Sequence, residues 1–185
     1  MIRLSFSAFA DESTHSSVTS KDWCALIFRE YRGKNMRILG VRAAPKEVSF
    51  VVYCNERNEL LITDVVKTPL TLEMPERLKY FRNNILDILR EFSIERAVIR
   101  VSEASSQNLN IERLYIEAVI QEAFSSSNIS TYRVIRKSGI CSKTGITAAE
   151  FKTLLDDKID FRGIVLSAYD QNTIEAILAA LSARD

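Results

Sequence analysis

The sequence has few of the residues from which metal sites and nucleophilic triads are built. His15 is the single histidine among 185 residues, so neither a histidine-based triad nor a histidine metal site has support. The three cysteines, Cys24, Cys54 and Cys141, are widely spaced and form no CxxC pair. Because thiols without a disulfide or zinc framework are typical of a reducing compartment, we expect a cytoplasmic protein.

Long apolar runs and an excess of one charge are also missing. No apolar stretch approaches the roughly 18 residues that span a bilayer. The apolar residues among the first ten are interrupted by serines and are too few for a signal peptide. The 25 basic and 24 acidic residues give a net charge of +1, so the total charge favours no charged partner. We therefore expect no membrane partner.

The first 35 residues differ from the rest of the chain. Residues 11–21 are rich in serine and threonine and show no periodicity, and residues 23–28 form a brief apolar patch. A segment of this composition is typical of a poorly ordered extension. We predict a flexible N-terminal extension over 1–35 and one folded domain over 36–185.

The folded domain begins with three predicted strands joined by short links. Alternating and β-branched residues place these strands at about 36–44, 47–54 and 60–66, which predicts an antiparallel meander. From residue 76 to residue 92, apolar residues recur at helical spacing. A long helix is therefore expected directly after the meander.

The next part of the chain alternates between strands and helices. A fourth strand is predicted at 96–101 and a fifth at 129–135. The helix between them is expected to bury one face, made of Ile111, Leu114, Tyr115, Ala118 and Val119. Strands that are separated by a helix pair in parallel, so the pattern predicts a mixed α/β sheet. The remainder is expected to be helical and to end in a helix that carries Ile174, Ile177, Leu178 and Leu181 on its apolar face.

Four segments, in this order, are similar to one known superfamily. They are residues 38–41 (ILGV), 97–100 (AVIR), 116–121 (IEAVIQ) and 143–150 (KTGITAAE). Over about 36–182 the chain resembles the ribonuclease-H-like superfamily. It is most similar to the RuvC-like Holliday-junction resolvase branch and its small uncharacterised bacterial relatives. The resemblance implies a mixed five-stranded sheet, with a three-strand antiparallel meander followed by αβαβ, flanked by helices.

The resemblance also implies a catalytic site of three or four carboxylates around two divalent ions. At the place of the first-strand aspartate this sequence has Arg42, which cannot ligate a metal. The fourth-strand acid falls on Arg100 or, a few residues later, on Glu103. The paired acids of the last helix fall near Asn172 and Glu175, which share a helix face.

The surviving carboxylates give the candidate catalytic residues. These are Glu103 and Glu175, with Asp170 nearby, while Glu117 is expected to lie on a solvated helix flank. Two carboxylates that face arginines favour an ion-pair cluster over a two-metal site. We therefore predict no metal-binding residue and no cofactor. Mg²⁺ or Mn²⁺ would be required only if the chain were a nuclease.

Basic residues gather at the exit of the fifth predicted strand, where parallel sheets form ligand-binding crevices. Together with the two arginines at the strand ends they predict a positive groove suited to a phosphate backbone. The predicted nucleic-acid-binding residues are Arg42, Arg100, Arg133, Arg136, Lys137 and Lys143.

These residues are consistent with three functions, and the arginine at position 42 argues against an enzyme. The leading hypothesis is a catalytically degenerate ribonuclease-H/RuvC-like domain that acts as a nucleic-acid-binding or protein-interaction module. The alternative is a divalent-metal-dependent nuclease with a rearranged acidic site built on Glu103 and Glu175, with Asp170 or Glu117 as a further acid. A third hypothesis makes the Ala-rich segment 175–181 a docking face for another protein or for a second copy of the chain.

Overall fold

The computed structural model of the protein describes residues 36–69, 71–103 and 109–184. The predicted extension over 1–35 lies outside the described residues and stays a prediction. The described part forms five strands and five α-helices, with one 3₁₀ turn (Leu166–Ala168) before the last helix. In chain order the elements are β1 (Arg37–Ala43), β2 (Glu47–Cys54), β3 (Glu59–Lys67), α1 (Met74–Glu91), β4 (Arg96–Arg100), α2 (Ile111–Ser125), β5 (Thr131–Ile135), α3 (Lys137–Thr144), α4 (Ala148–Asp156) and α5 (Gln171–Leu181).

The five strands form one mixed sheet in the order β3-β2-β1-β4-β5. β1 pairs antiparallel with β2, and β2 antiparallel with β3. On its other side β1 pairs parallel with β4, which pairs parallel with β5. The predicted meander followed by parallel crossovers is confirmed. The carboxyl ends of β1, β4 and β5 consequently meet at one edge of the sheet, which we call the carboxyl edge.

Helix α5 packs directly on β1 at the centre of the sheet. A Cβ atom on Gly40 would lie 2.8 Å from the Cβ of Ala180 and would collide with the carbonyl oxygen of Ala176. The absence of a side chain at Gly40 therefore allows the close approach of the helix. Because side chains alternate along a strand, Ile38 and Arg42 point to the same face as Gly40.

The burial of α5 rules out one predicted role. Every residue from Thr173 to Leu181 is buried, and most belong to one apolar core with Ile38 and Val98 of the sheet. The prediction that this helix offers a docking face is wrong, because its surface is already covered by its own domain.

The opposite face of the sheet is covered by α1 and α2. The predicted helix after the meander is confirmed as α1, with Phe81, Ile85, Ile88 and Leu89 buried.

The predicted apolar face of α2 is wrong. Its exposed residues include Ile111, Leu114 and Tyr115, with exposed fractions of 62%, 36% and 51%. The buried residues of α2 are instead Ile116, Glu117, Ile120, Ala123 and Phe124. Apolar residues occur on both faces of this helix, and the position of the sheet determines which face is covered.

Over residues 36–69, 71–103 and 109–184, no helix is both long enough and apolar enough to cross a membrane.

Candidate functional site

Two arginines lie side by side at the carboxyl edge of the sheet. Arg42 of β1 and Arg100 of β4 are register partners in the parallel pair, so their side chains emerge on the same face. Both are buried, with exposed fractions of 6% and 5%. The Nη1 of Arg42 donates to the carbonyl oxygen of Arg100 at 3.0 Å, which ties the first guanidinium to the neighbouring strand.

Glu175 of α5 lies between these two arginines. Its Oε2 forms an ion pair with Nε of Arg42, and its Oε1 lies 3.3 Å from Nη2 of Arg100. The close approach of α5 at Gly40 brings this carboxylate down to the sheet, since residue 175 directly precedes Ala176 in the helix. A single buried carboxylate therefore bridges both guanidinium groups.

Glu117 of α2 reaches the same place from the other layer of helices. Its Oε1 lies 3.3 Å from Nη1 of Arg42. The two carboxylate oxygens also accept from the backbone N–H of Ser102 at 2.9 and 3.1 Å, and Oε1 accepts from the Ser102 hydroxyl at 2.9 Å. With an exposed fraction of 3%, Glu117 does not lie on a solvated flank, and that prediction is wrong.

Glu103 closes the site where β4 leads into its loop. Its Oε1 lies 3.1 Å from Nη2 of Arg100 and accepts the backbone N–H of Lys137 at 2.9 Å. The same carboxylate thus neutralises an arginine and anchors the start of α3. We call the set of Arg42, Arg100, Glu103, Glu117 and Glu175 the arginine cluster.

The charges of the arginine cluster nearly balance. Two guanidinium groups face three carboxylates, and Arg113 of α2 adds a further cation in its field. Burial lowers the pKa of Arg100, an effect that the charge of Glu175 opposes. Burial also lowers the pKa of Arg113, and the nearby charge of Arg42 acts in the same direction. Guanidinium groups nevertheless stay protonated near neutral pH, so the cluster is a network of buried ion pairs.

These residues do not fit the pair of divalent ions that the resemblance implies. Mg²⁺ and Mn²⁺ need several carboxylate oxygens free to converge on them, and here Arg42 and Arg100 occupy oxygens of all three acids. In the described part of the chain, no group of three or more His, Cys, Asp or Glu side chains has a geometry that could hold a metal.

The structure brings together two of the three predicted catalytic candidates. Glu103 and Glu175 do come together, with both arginines, as the sequence indicated. Asp170 instead caps the start of α5, because its Oδ1 accepts the backbone N–H of Thr173 at 2.7 Å. Glu117, which the sequence placed in this site only under the nuclease alternative, also belongs to it. It lies three residues before the buried Ile120, on the same helix face.

The predicted basic residues do not form one groove. Arg42 and Arg100 are buried and bound to carboxylates. Arg133 is exposed in the middle of β5, the outer strand of the sheet, and Arg136 is exposed just after β5 ends. Lys137, which begins α3, is half-buried, and its Nζ lies 5.2 Å from the centroid of the Phe151 ring. Of the predicted basic residues, this leaves Arg136 and Lys137 at the carboxyl edge and Arg133 on the outer strand beside it.

Lys143 lies at the opposite edge of the sheet. Helix α3 leads away from the carboxyl edge, and its last turn brings Lys143 to a surface pocket of about 490 Å³. Asn58 of the β2–β3 turn and Arg184, just after α5, line the same pocket. Since β2 runs antiparallel to β1, this turn lies beyond the amino end of β1. Lys143 is therefore separate from the other predicted basic residues.

Comparison with known proteins identifies the fold. No family model and no curated protein sequence matches the chain. Among solved structures, RuvC of Thermus thermophilus in complex with a Holliday junction substrate has a TM-score of 0.63 at 17% identity, over 80% of this chain and 91% of that chain. The yeast mitochondrial Holliday junction resolvase Ydc2 has a TM-score of 0.55 at 12% identity, over 90% of this chain and 85% of that one.

A second RuvC structure gives the same result. The Thermus thermophilus RuvC structure has a TM-score of 0.59 at 14% identity, over 80% of this chain and 92% of that chain. The fold of the described domain is therefore ribonuclease-H-like and of the RuvC type, as the resemblance implied. At this level of identity the similarity concerns the fold alone.

Proposed function

We propose that this chain is a ribonuclease-H-like domain of the RuvC type that has lost the metal chemistry of a nuclease and binds nucleic acid. The observation that carries the proposal is the contact of Glu175 with both Arg42 and Arg100. A catalytic carboxylate in this position would need oxygens free for a metal. Here both of its oxygens are held by fixed cations.

Electrostatics supports the loss of metal binding. A divalent ion that entered the arginine cluster would meet two buried guanidinium groups within a few ångströms, and repulsion between desolvated cations is strong. The arginines could leave only at the cost of exposing three buried or partly buried carboxylates to one another. The cluster therefore favours ion pairing over metal binding.

The nucleic-acid part of the proposal rests on the fold and on exposed charge. One of the similar structures is RuvC in complex with a Holliday junction substrate. In this chain, Arg133 and Arg136 are exposed beside the carboxyl edge, and Lys137 is next to them. Basic side chains at one edge of a sheet are suited to phosphate contacts, which position a nucleic acid without reading its sequence. Arg42 and Arg100 belong to the structure of the site and are excluded from this surface.

Salt-dependent binding tests the nucleic-acid surface. We expect the affinity for a fluorescent four-way DNA junction, measured by anisotropy, to fall linearly with salt on logarithmic axes. The variants Arg133→Gln and Arg136→Gln should each reduce the slope by about 0.9, the value for one phosphate contact. Arg90→Gln is the matched control, since Arg90 is exposed on α1 and pairs with Asp87. Equal slopes in all four proteins would remove this surface from the proposal.

The alternative function, a nuclease with a rearranged acidic site, is favoured by one observation. Three carboxylates, Glu103, Glu117 and Glu175, contact the same two arginines, so the carboxylates outnumber the arginines that contact them. A plasmid-nicking assay with Mg²⁺ and with Mn²⁺ separates the two functions. The leading proposal expects no cleavage by the unmodified chain. Metal-dependent cleavage that is lost in Glu103→Gln would establish the nuclease instead.

A further inference from the structure

A second group of basic side chains surrounds the pocket at the edge of the sheet opposite the arginine cluster. The pocket, of about 490 Å³, is lined by Asn58, Lys143, Arg162, Leu181 and Arg184. Three of these five residues are cations and none is acidic. They come from four separate places in the chain: the β2–β3 turn, the end of α3, the loop before α5, and the end of α5 with the residues that follow it.

Arg162 is held in place by an unusual turn. Phe161 and Ile164 exchange both backbone hydrogen bonds, at 3.0 and 2.9 Å, and the two residues between them have positive φ, 52° at Arg162 and 82° at Gly163. This is the geometry of a type I′ turn, in which Asn and Gly are preferred at the first position. An arginine in this left-handed conformation is uncommon, so its presence here points to a role for the guanidinium.

Neutral acceptors fix the Arg162 side chain. Its Nη2 donates to the carbonyl oxygen of Thr144 at 2.7 Å, and its Cζ lies 5.3 Å from the centroid of the Phe161 ring. The carbonyl is one of those that the end of α3 leaves without a helical partner. These contacts orient the guanidinium and leave its full positive charge.

Arg184 is fixed in the same manner. Its Nη1 donates to Oδ1 of Asn58 at 2.7 Å, and its Cζ lies 5.5 Å from the centroid of the Tyr53 ring. The hydroxyl of Tyr53 donates to the same Oδ1 at 2.8 Å, so the amide oxygen is itself held. Over residues 36–69, 71–103 and 109–184, no carboxylate forms an ion pair with Lys143, Arg162 or Arg184.

From this geometry we infer that the pocket binds the phosphate group of a small anionic ligand. Two preorganised guanidinium groups and one ammonium group converge on it, and planar guanidinium groups match the oxygens of phosphate in pairs. Among the described residues no carboxylate pairs with these three cations, so the like charges repel one another and a bound dianion would relieve that repulsion. The site is separate from the proposed nucleic-acid surface, because neither Arg133 nor Arg136 lines the pocket.

Calorimetric titration of the full chain with inorganic pyrophosphate at low salt tests the site. We expect one bound pyrophosphate per chain and an affinity at least about tenfold lower in Lys143→Gln and in Arg162→Asn, since a hydrogen bond to a charged group is worth that factor or more. Arg162→Asn is informative, because Asn-Gly is the preferred type I′ sequence. Its thermal midpoint should not fall, so a loss of affinity would not reflect unfolding. Arg90→Gln should bind as the unmodified chain does.

The competing outcomes are distinct. Absence of pyrophosphate binding by the unmodified chain would overturn the inference, as would unchanged affinity in both Lys143→Gln and Arg162→Asn. A parallel titration with the four-way DNA junction separates the two sources of phosphate. If Arg162→Asn weakened junction binding and left pyrophosphate binding unchanged, the pocket would belong to the nucleic-acid surface, and the small-ligand site would be refuted.

Discussion

The two edges of the sheet use arginine in opposite ways. At the carboxyl edge, Arg42 and Arg100 are buried, and carboxylates neutralise them. At the other edge, Arg162 and Arg184 are held by a backbone carbonyl and a side-chain amide, neither of which carries a negative charge. The two edges therefore differ in the charge of the acceptors that fix the guanidinium groups. Carboxylates balance the arginines at the carboxyl edge, whereas at the other edge the proposed anion would supply the negative charge.

This difference also explains why a count of basic residues was misleading. The six residues predicted to bind nucleic acid include two that are buried in ion pairs and one, Lys143, that lies at the far edge. Arg162 and Arg184 were not among the candidates, because they occur in segments of the sequence that have no motif. Only the tertiary structure shows which of these cations are buried in ion pairs and which are accessible to a ligand.

The largest expected effect comes from removing the bridging carboxylate. In Glu175→Gln both guanidinium groups lose a buried partner, and we expect the free energy of unfolding to fall by about 3 kcal/mol, at the low end of the range for a broken buried pair, because Glu117 and Glu103 remain. Urea denaturation measures the change.

The matched control for this variant is an exposed ion pair. Glu59 lies 3.6 Å from Arg57, and the two side chains are 46% and 41% exposed. Glu59→Gln should change stability by less than about 1 kcal/mol, as is usual for surface pairs. Equal effects of the two substitutions would show that the arginine cluster is not a buried ion-pair network.

The variant Arg42→Asp tests directly whether Arg42 prevents the arginine cluster from binding a metal ion. The change leaves four acidic side chains around Arg100, so we expect a thermal midpoint well below that of the unmodified chain. Millimolar MnCl₂ should recover part of the loss, since the oxygens of Glu117 and Glu175 that Arg42 held and the new aspartate are then free to bind the ion. The unmodified chain should show no such response in the same thermal scan. A midpoint of Arg42→Asp that does not change with Mn²⁺ would mean that the arginine is not what prevents metal binding.

Much of the fold was predictable because the strands have clear local signals. Alternation over β2 and the β-branched residues of β4 give their position within one or two residues, and the order of elements then fixes the mixed sheet. The chain after β5 was expected to be helical, but α3 itself was not located, because its sequence KSGICSKT contains Gly139 and few apolar residues. It forms where the carboxylate of Glu103 accepts the N–H of Lys137 and where Gly139 allows contact with Ile135. The contact with Glu103 joins residues 34 apart in the sequence, so a local pattern does not reveal it.

The candidate site was predictable in part, because the resemblance assigned its positions to strand ends and to the last helix. Arg42, Arg100, Glu103 and Glu175 lie at strand ends and on the last helix, where the resemblance located the acids of a resolvase, and the structure brings them together. Glu117 was named only as a further acid of the alternative nuclease and was otherwise expected on a solvated flank, because a glutamate on a helix is usually solvated. Its burial depends on Arg42 and Ser102, which are distant in sequence.

Gly40→Ala is expected to have a smaller effect than the charge variants. The added methyl group meets the backbone of Ala176, which cannot move without the helix. We expect a loss of about 1–3 kcal/mol in the free energy of unfolding, the range for overpacking a core. Because α5 also carries Glu175, the variant should loosen the arginine cluster as well. Val41→Ala, a substitution of the next residue on the opposite face, is the control. Hydrogen exchange of the α5 amides should increase in Gly40→Ala and not in Val41→Ala.

The smallest effect concerns an arginine that is neutralised and yet exposed. The Nε of Arg82 on α1 lies 2.5 Å from Oε2 of Glu122 on α2. This bond, with a smaller contribution from the hydrogen bond of the Ser126 hydroxyl, lowers the pKa of Glu122 from its ordinary value of 4.5 to about 2. A carboxyl with a lowered folded-state pKa contributes stability above its unfolded pKa and loses it as the pH falls through the folded pKa. The difference in thermal midpoint between the unmodified chain and Glu122→Gln should therefore be constant at neutral pH and disappear between about pH 4.5 and 2. Its size should be modest, because solvent screens an exposed pair. If the difference at pH 7 matched that of Glu175→Gln, burial would not be what distinguishes the arginine cluster, and the contrast between the two edges would reduce to charge alone.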